Sequence, residues 1–154
     1  MDSLFGITFG TSKNETVLKM YREGWQMEDY KTGDDSILFD GGILGTDSGM
    51  TYAGFPVLCI YINFYKDRFY MCQIYFAENM TSEDFSNLSA FIKNKYITSP
   101  IVDVKEGVIS SSAGLDDYGH LILLCTAIEA SAAKLCPYSL VFLDASIYSE
   151  TVNE

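Results

Sequence analysis

The chain has 154 residues, of which 48% are hydrophobic and only 20% charged. That is enough for one packed domain without a metal or a disulfide, since a chain of about 150 residues buries roughly 70% of its unfolded surface. The net charge of -11, from 10 basic and 21 acidic residues, argues against a nucleic-acid partner or an anionic membrane surface, and the absence of 18 successive apolar residues argues against membrane insertion.

Residues 4–9 read as an extended lead-in. A helix is expected over about 12–23, opened by Ser12 and Glu15 in the S-x-x-E spacing of a capping box. Val17, Leu18, Tyr21 and Trp25 would form its apolar stripe, and Gly24 sits where a left-handed residue closes a helix. Between 27 and 50, Ile37-Leu38-Phe39 and Ile43-Leu44 flank Asp40-Gly41-Gly42, which fits two short strands or one bulged strand. Thr46-Asp47-Ser48-Gly49 reads as a turn. Pro56–Tyr65 and Arg68–Ala77 are rich in Ile, Val, Tyr and Phe and are separated by Lys66-Asp67, the pattern of a β-hairpin. Alternation places Leu58, Ile60, Ile62 and Phe64 on one face of its first strand. Val57, Cys59, Tyr61, Asn63 and Tyr65 fall on the other. In the second strand Cys72, Ile74 and Phe76 alternate with Met71, Gln73 and Tyr75.

A second helix is expected over about 82–95, capped by Thr81 or Ser82, with Phe85, Leu88, Phe91 and Ile92 inward. Ser99-Pro100 then ends the linker into Ile101–Val104, and Ser110–Gly114 reads as a small-residue turn. His120–Glu129 and Tyr138–Ala145 read as a strand pair with a turn over Ala130–Lys134. A rival reading makes Leu121–Leu135 one helix.

The two helix openings match at an offset of 70 residues: Thr11 with Thr81, Ser12 with Ser82, Leu18 with Leu88, Tyr21 with Phe91. The expected fold is therefore α+β in a single domain over 1–154. Two repeats, at about 4–77 and 81–148, would each supply a helix and then antiparallel strands to one sheet, with the helices on one face.

Phe5-Gly6-Ile7 before Thr11-Ser12, Gly24-Trp25, Tyr52-Ala53-Gly54-Phe55, Tyr96-Ile97-Thr98-Ser99-Pro100 and Leu140-Val141-Phe142-Leu143-Asp144 carry a resemblance. The arrangement resembles the β-lactamase-inhibitor-protein-like family, tandem helix–loop–sheet units, and small proteins of gut Bacteroidetes with this repeat. Outer-membrane-assembly lipoproteins have a similar single unit. The resemblance covers most of the chain through packing signatures. It implies a binding or assembly module, with an aromatic concave sheet face as the binding surface, and brings no catalytic residue.

Little in the residues announces chemistry. His120 is the single histidine, read as an ordinary surface or strand-edge residue, and no CxxC occurs among Cys59, Cys72, Cys125 and Cys136, so neither a metal site nor a cofactor is expected. The four cysteines read as reduced, mostly buried thiols; the alternative is one or two disulfides in an exported form. The acidic pairs Glu28-Asp29, Asp34-Asp35 and Asp116-Asp117 read as solvated loops, and Gly41–Gly45 lacks the Lys-Ser/Thr of a phosphate loop. The candidate site is the Tyr-rich hairpin face: Tyr61, Asn63, Tyr65, Gln73 and Tyr75, with Trp25 and His120 at its edges. The bland alternative is a second core face. The expected function is non-enzymatic binding of a protein or peptide, or of a second copy of the chain. The alternative is an acidic immunity or inhibitor protein that neutralises a basic partner. The amino terminus lacks a basic segment followed by an apolar one, which points to the cytoplasm or to the mature part of an exported protein.

Overall fold

A computed structural model describes residues 3–27, 35–40, 49–107, 109–127 and 137–153. Among these, three helices flank one nine-stranded antiparallel sheet. In chain order the elements are α1 (Lys13–Arg22), β1 (Gln26–Met27), β2 (Ser36–Asp40), β3 (Met50–Tyr52), β4 (Phe55–Tyr65), β5 (Arg68–Phe76), α2 (Ser82–Lys95), β6 (Val102–Glu106), β7 (Ile109–Leu115), β8 (His120–Ala127), β9 (Tyr138–Asp144) and α3 (Ala145–Val152). The strands lie in the order β1-β2-β4-β5-β9-β8-β7-β6, with β3 paired to the start of β4. Each half of the chain runs from an outer edge inward, and the last strands of the two halves, β5 and β9, meet antiparallel at the centre.

The helix ends follow from local chemistry. Ser12 Oγ accepts from Glu15 N at 3.3 Å, while the Glu15 carboxylate turns to Lys19 at 3.5 Å. The complete reciprocal box is at the other helix, where Thr81 Oγ1 accepts from Asp84 N and Asp84 accepts from Thr81 N. The caps Ser12 and Thr81 are thus 69 residues apart, and the repeat slips by one position against the sequence match. The buried stripes do not follow the sequence match either. Helix α1 buries Thr16, Val17 and Met20 and exposes Leu18 and Tyr21; α2 buries Leu88 and Ile92 and leaves Phe91 under Lys95. At the end of α1, Gly24 N bonds Tyr21 O and Trp25 N bonds Met20 O, with Gly24 at φ 99°. This Schellman closure drives Trp25 into the core.

Residues 4–7 form a tight turn in place of the expected extended lead-in: Leu4 and Ile7 exchange both backbone bonds at 2.9 Å around Phe5 and Gly6, each at positive φ. The β4–β5 hairpin closes through Lys66 and Asp67, both left-handed, the twist-matching geometry of a two-residue turn. The Asp67 carboxylate accepts from Lys13 N at 3.0 Å, tying this turn to the first turn of α1.

One face of the sheet carries the core: Phe39 of β2, Ile60 and Ile62 of β4, Ile74 and Phe76 of β5, Leu140 and Phe142 of β9, and Ile122 and Leu124 of β8. Val17, Met20, Leu88 and Ile92 of the helices pack into the same cluster. Strict alternation fails at two bulges. Leu58 is the extra residue between the pairs Val57–Phe76 and Cys59–Tyr75, and Tyr70 is extra between Phe64–Phe69 and Asn63–Met71. As a result Val57 and Phe69 join the core, and Leu58 is half-buried rather than inward. β1 and β3 were not legible as strands, and Ser110–Gly114, expected as a small-residue turn, is part of strand β7, paired along its length with β8. In the second half β8 and β9 pair antiparallel over His120–Thr126, which removes the helical alternative there; the expected Ala130–Lys134 turn lies outside the described residues.

Candidate functional site

The second face of the sheet is lined mostly by half-buried side chains, with Ala113, Cys125 and Leu143 buried. Register places Leu38, Tyr61, Gln73, Val141, Leu123 and Ala113 in one row across six strands. A second row runs Ser36, Asn63, Met71, Leu143, Leu121 and Leu115. All five sequence-predicted site residues fall on this face, and none is fully exposed.

The Tyr61 and Tyr75 rings meet edge to face, 5.8 Å between centroids at 82°. This edge-to-face geometry is a favoured aromatic arrangement and fixes both side chains against each other. Gln73 is directly opposite Tyr61 in register, and its Nε2 is 3.9 Å from Met71 Sδ. Asn63 is set deeper: its Oδ1 is buried and finds no hydrogen-bond donor among the described residues. Tyr65 stands at the hairpin end with the cationic groups of Lys66 and Arg68 at 5.3 and 5.8 Å from its ring centre, and its hydroxyl is buried. The hairpin therefore divides. Tyr61, Gln73 and Tyr75 form its central platform, whereas Asn63 and Tyr65 are held by their own surroundings.

Trp25 is 2% exposed and packs edge-on against Phe5 at 5.9 Å, so it belongs to the core and not to the rim of this face. His120 is likewise buried, not a surface residue. Its Nδ1 is 3.1 Å from Asp116 Oδ2 and its Nε2 3.8 Å from Asp144 Oδ2. Phe9 and Tyr118 lie against the imidazole at 4.6 and 6.0 Å between centroids.

Asp116 Oδ1 accepts from the backbone N–H of Tyr118 and of His120, each at 2.9 Å, and Asp144 Oδ1 caps α3 through Ile147 N. Burial pushes the Asp116 carboxyl up, but the hydrogen bonds it accepts, those of His120 and Tyr118 among them, and the imidazole outweigh this and hold it below the usual carboxylate value. The group joins the β7–β8 turn to the β9–α3 corner, and both carboxylates are committed to that structure. Sequence reasoning missed this clasp; the D-x-x-x-H spacing of Asp116 and His120 was its one signal.

The remaining sites of possible chemistry separate. Cys59 lies on the open face and Cys72 in the core, three register positions apart, and Cys72 and Cys125 are free thiols. Burial raises the Cys72 thiol far above its ordinary value. Asp117 is exposed beside buried Asp116, while Glu28, Asp29, Asp34, Cys136 and the Gly41–Gly45 run lie outside the described residues. Among the described residues no group of three acidic, His or Cys side chains is placed to hold a metal ion, and no helix is long and apolar enough to cross a membrane.

Toward the other end of the same face the sheet is aliphatic. Pro100, Val102, Val104, Ala113, Leu115 and Leu121 line an open trough of about 420 Å³. Gly114, on the core side of β7, makes the trough floor possible: a Cβ there would stand 2.4 Å from Ile97 Cγ2, so only glycine lets the α2–β6 connection lie against the strand. Leu115 N donates to Ser99 Oγ at 2.8 Å and Thr98 N to Leu115 O at 2.9 Å, fixing that connection in place. No protein-family model, curated protein or solved structure matches the chain.

Proposed function

We propose that the protein is a non-enzymatic binding module that receives a protein or peptide on the open face of its sheet, with Tyr61 and Tyr75 as anchors. The observation that carries this reading is the edge-to-face tyrosine pair, half-buried on the face opposite the core and continuous in register with Val141 and Leu123. Tyrosine gives large contact area at small entropic cost and is enriched where partners meet. On the same reading the chain presents its sheet as β-lactamase-inhibitor-like proteins do. The buried, structurally committed Asp116–His120–Asp144 group supports a role without catalysis.

The test is affinity capture from lysate of the source organism with the wild-type chain and with the Tyr61→Ala/Tyr75→Ala double variant, at low and high salt. A stoichiometric partner retained at high salt, and bound at least about 30-fold more weakly by the double variant, supports the module, since central aromatic anchors cost about 2 kcal/mol or more on truncation. A partner bound equally by the variant refutes it. The net charge of -11 favours a second reading, neutralisation of a basic partner; this requires capture that is lost at high salt and indifferent to the two tyrosines.

A further inference from the structure

β6 ends the sheet. Among the described residues no strand pairs with its outer edge, and all five of its residues are exposed. A free edge offers a row of backbone N–H and C=O groups to another strand. Natural edges are blunted by charge, a bulge or shortness; β6 carries charge, but in an ordered pattern. Val102 and Val104 face the open side with Leu115 and Leu121, while Asp103 and Lys105 point to the other side of the sheet. Val102 and Val104 are 58% and 42% exposed, a large fraction for valines that line an apolar trough.

We infer that β6 pairs antiparallel with the β6 of a second copy of this chain, about a two-fold axis at Val104 normal to the sheet. Such an axis keeps both open faces on the same side, so only residues two apart in parity can oppose one another, and three registers centre on the strand interior. Centring on Asp103 sets two aspartates opposite each other, and centring on Lys105 sets two lysines. Centring on Val104 sets Asp103 opposite the partner's Lys105, twice, and brings the two Val104 side chains together on the open side, with Val102 opposite the partner's Glu106. Directly opposed unlike charges stabilise a strand pair and like charges destabilise it, so charge selects the Val104 register. Ser112 Oγ, on the inner neighbour β7, donates to Asp103 Oδ1 at 3.0 Å and keeps that carboxylate on the sheet face opposite Val102 and Val104, so pairing with the partner's Lys105 requires it to turn toward the outer edge. The same register sets the two apolar troughs side by side and removes the edge from solvent. This interface is separate from the tyrosine platform and stands or falls without it.

The test is sedimentation equilibrium of the full chain at 0.15 M salt, where charges beyond about 8 Å are screened and the repulsion between two acidic copies is reduced. The concentration range is roughly 1–500 μM, suited to a small interface. The wild type is expected to show a monomer–dimer equilibrium. Asp103→Lys alone, or Lys105→Asp alone, turns both cross-strand pairs repulsive and weakens self-association by about tenfold or more. Mixing the two variants restores complementarity and yields a 1:1 heterodimer, which neither forms with itself. Circular dichroism checks that each variant is folded. A wild type that stays monomeric throughout the range overturns the inference, as does a wild-type dimer that the single variants leave intact or that mixing does not restore.

Discussion

Replacing Gly114 by alanine probes how the α2–β6 connection is seated and hence how the apolar end of the open face is built. Gly114 does not have a positive φ, so the backbone accepts alanine, and in an open site the change would stabilise by about 0.4–1 kcal/mol through the unfolded chain. Here the new Cβ meets Ile97 Cγ2 at 2.4 Å, with Ile97 Cδ1 at 3.2 Å and Ile101 Cδ1 at 3.3 Å behind it. The obstructing methyl sits on a β-branched carbon close to the backbone and cannot swing aside as a long side chain would. Overpacking of this kind costs about 1–3 kcal/mol, so the net effect is a loss of roughly 0–2.6 kcal/mol, centred near 1. For a chain of this size each kcal/mol lowers the melting temperature by about 2–4 °C. Thermal and urea unfolding of the wild type, Gly114→Ala, Ile97→Ala and the double variant form a cycle. Gly114→Ala is expected to destabilise in the native background and to become neutral or stabilising once Ile97 is truncated. Equal destabilisation in both backgrounds, or a more stable single variant, would refute the close-approach explanation.

Other consequences follow from the same structure. The folded pKa of Asp116 lies below its ordinary 3.8, so its contribution is complete above that value and is lost as pH falls through the folded pKa. Asp116→Asn, which keeps an acceptor for the two backbone N–H groups but carries no charge, should therefore show a stability deficit at pH 6 that narrows below 3.8, measured by urea unfolding across pH; a deficit constant with pH would contradict the assignment. Thr81→Ala removes half of a reciprocal cap and should cost about 1–2 kcal/mol, more than Ser12→Ala, whose single bond is 3.3 Å long, at about 0.5–1 kcal/mol. Cys72 should resist alkylation in the native state and react only on unfolding, as peptide mass spectrometry after iodoacetamide with and without urea would show, because burial keeps its thiol protonated and covered; native-state labelling of Cys72 would contradict this.

The fold class was legible because its strongest signals are periodic. The aliphatic alternation of 56–65 and 68–77, the short Lys66-Asp67 link and the two capped helices suffice for an antiparallel sheet with helices on one side. What escaped was set by single-residue shifts. The match of Ser12 with Ser82 predicts an offset of 70, yet Thr81 outcompetes Ser82 as cap because Asp84 stands three residues beyond it and completes the box. In α1 Leu18 and Tyr21 turn to solvent while Thr16 and Met20 are buried, so the buried stripes coincide neither at the sequence match of 70 nor at the cap offset of 69. The bulges at Leu58 and Tyr70 have the same character: no composition signal marks them, but each flips the alternation for the residues beyond it. β1 and β3 are too short, at two and three residues, to show any period.

The candidate site was legible for a related reason, and only in part. Between the two bulges alternation is unbroken, so Tyr61, Asn63, Gln73 and Tyr75 share a face as their spacing implies. Alternation gives the face but not the depth. Asn63 sits opposite Ser36 and Met71 in register and has its oxygen buried, whereas Tyr61 and Tyr75 rest on each other. Depth depends on strands that the hairpin does not contain, β2 on one side and β9 on the other, and these are supplied by opposite ends of the chain. The aliphatic continuation through Val141, Leu123 and Ala113 was invisible for the same reason: these residues neighbour Gln73 in space and are 40 to 68 positions away in sequence. A sheet whose main core cluster lies on one face has a second face that is mixed aromatic and aliphatic and for the most part half-buried. That asymmetry, more than any single tyrosine, is why the open face is the part of this molecule to test for a partner.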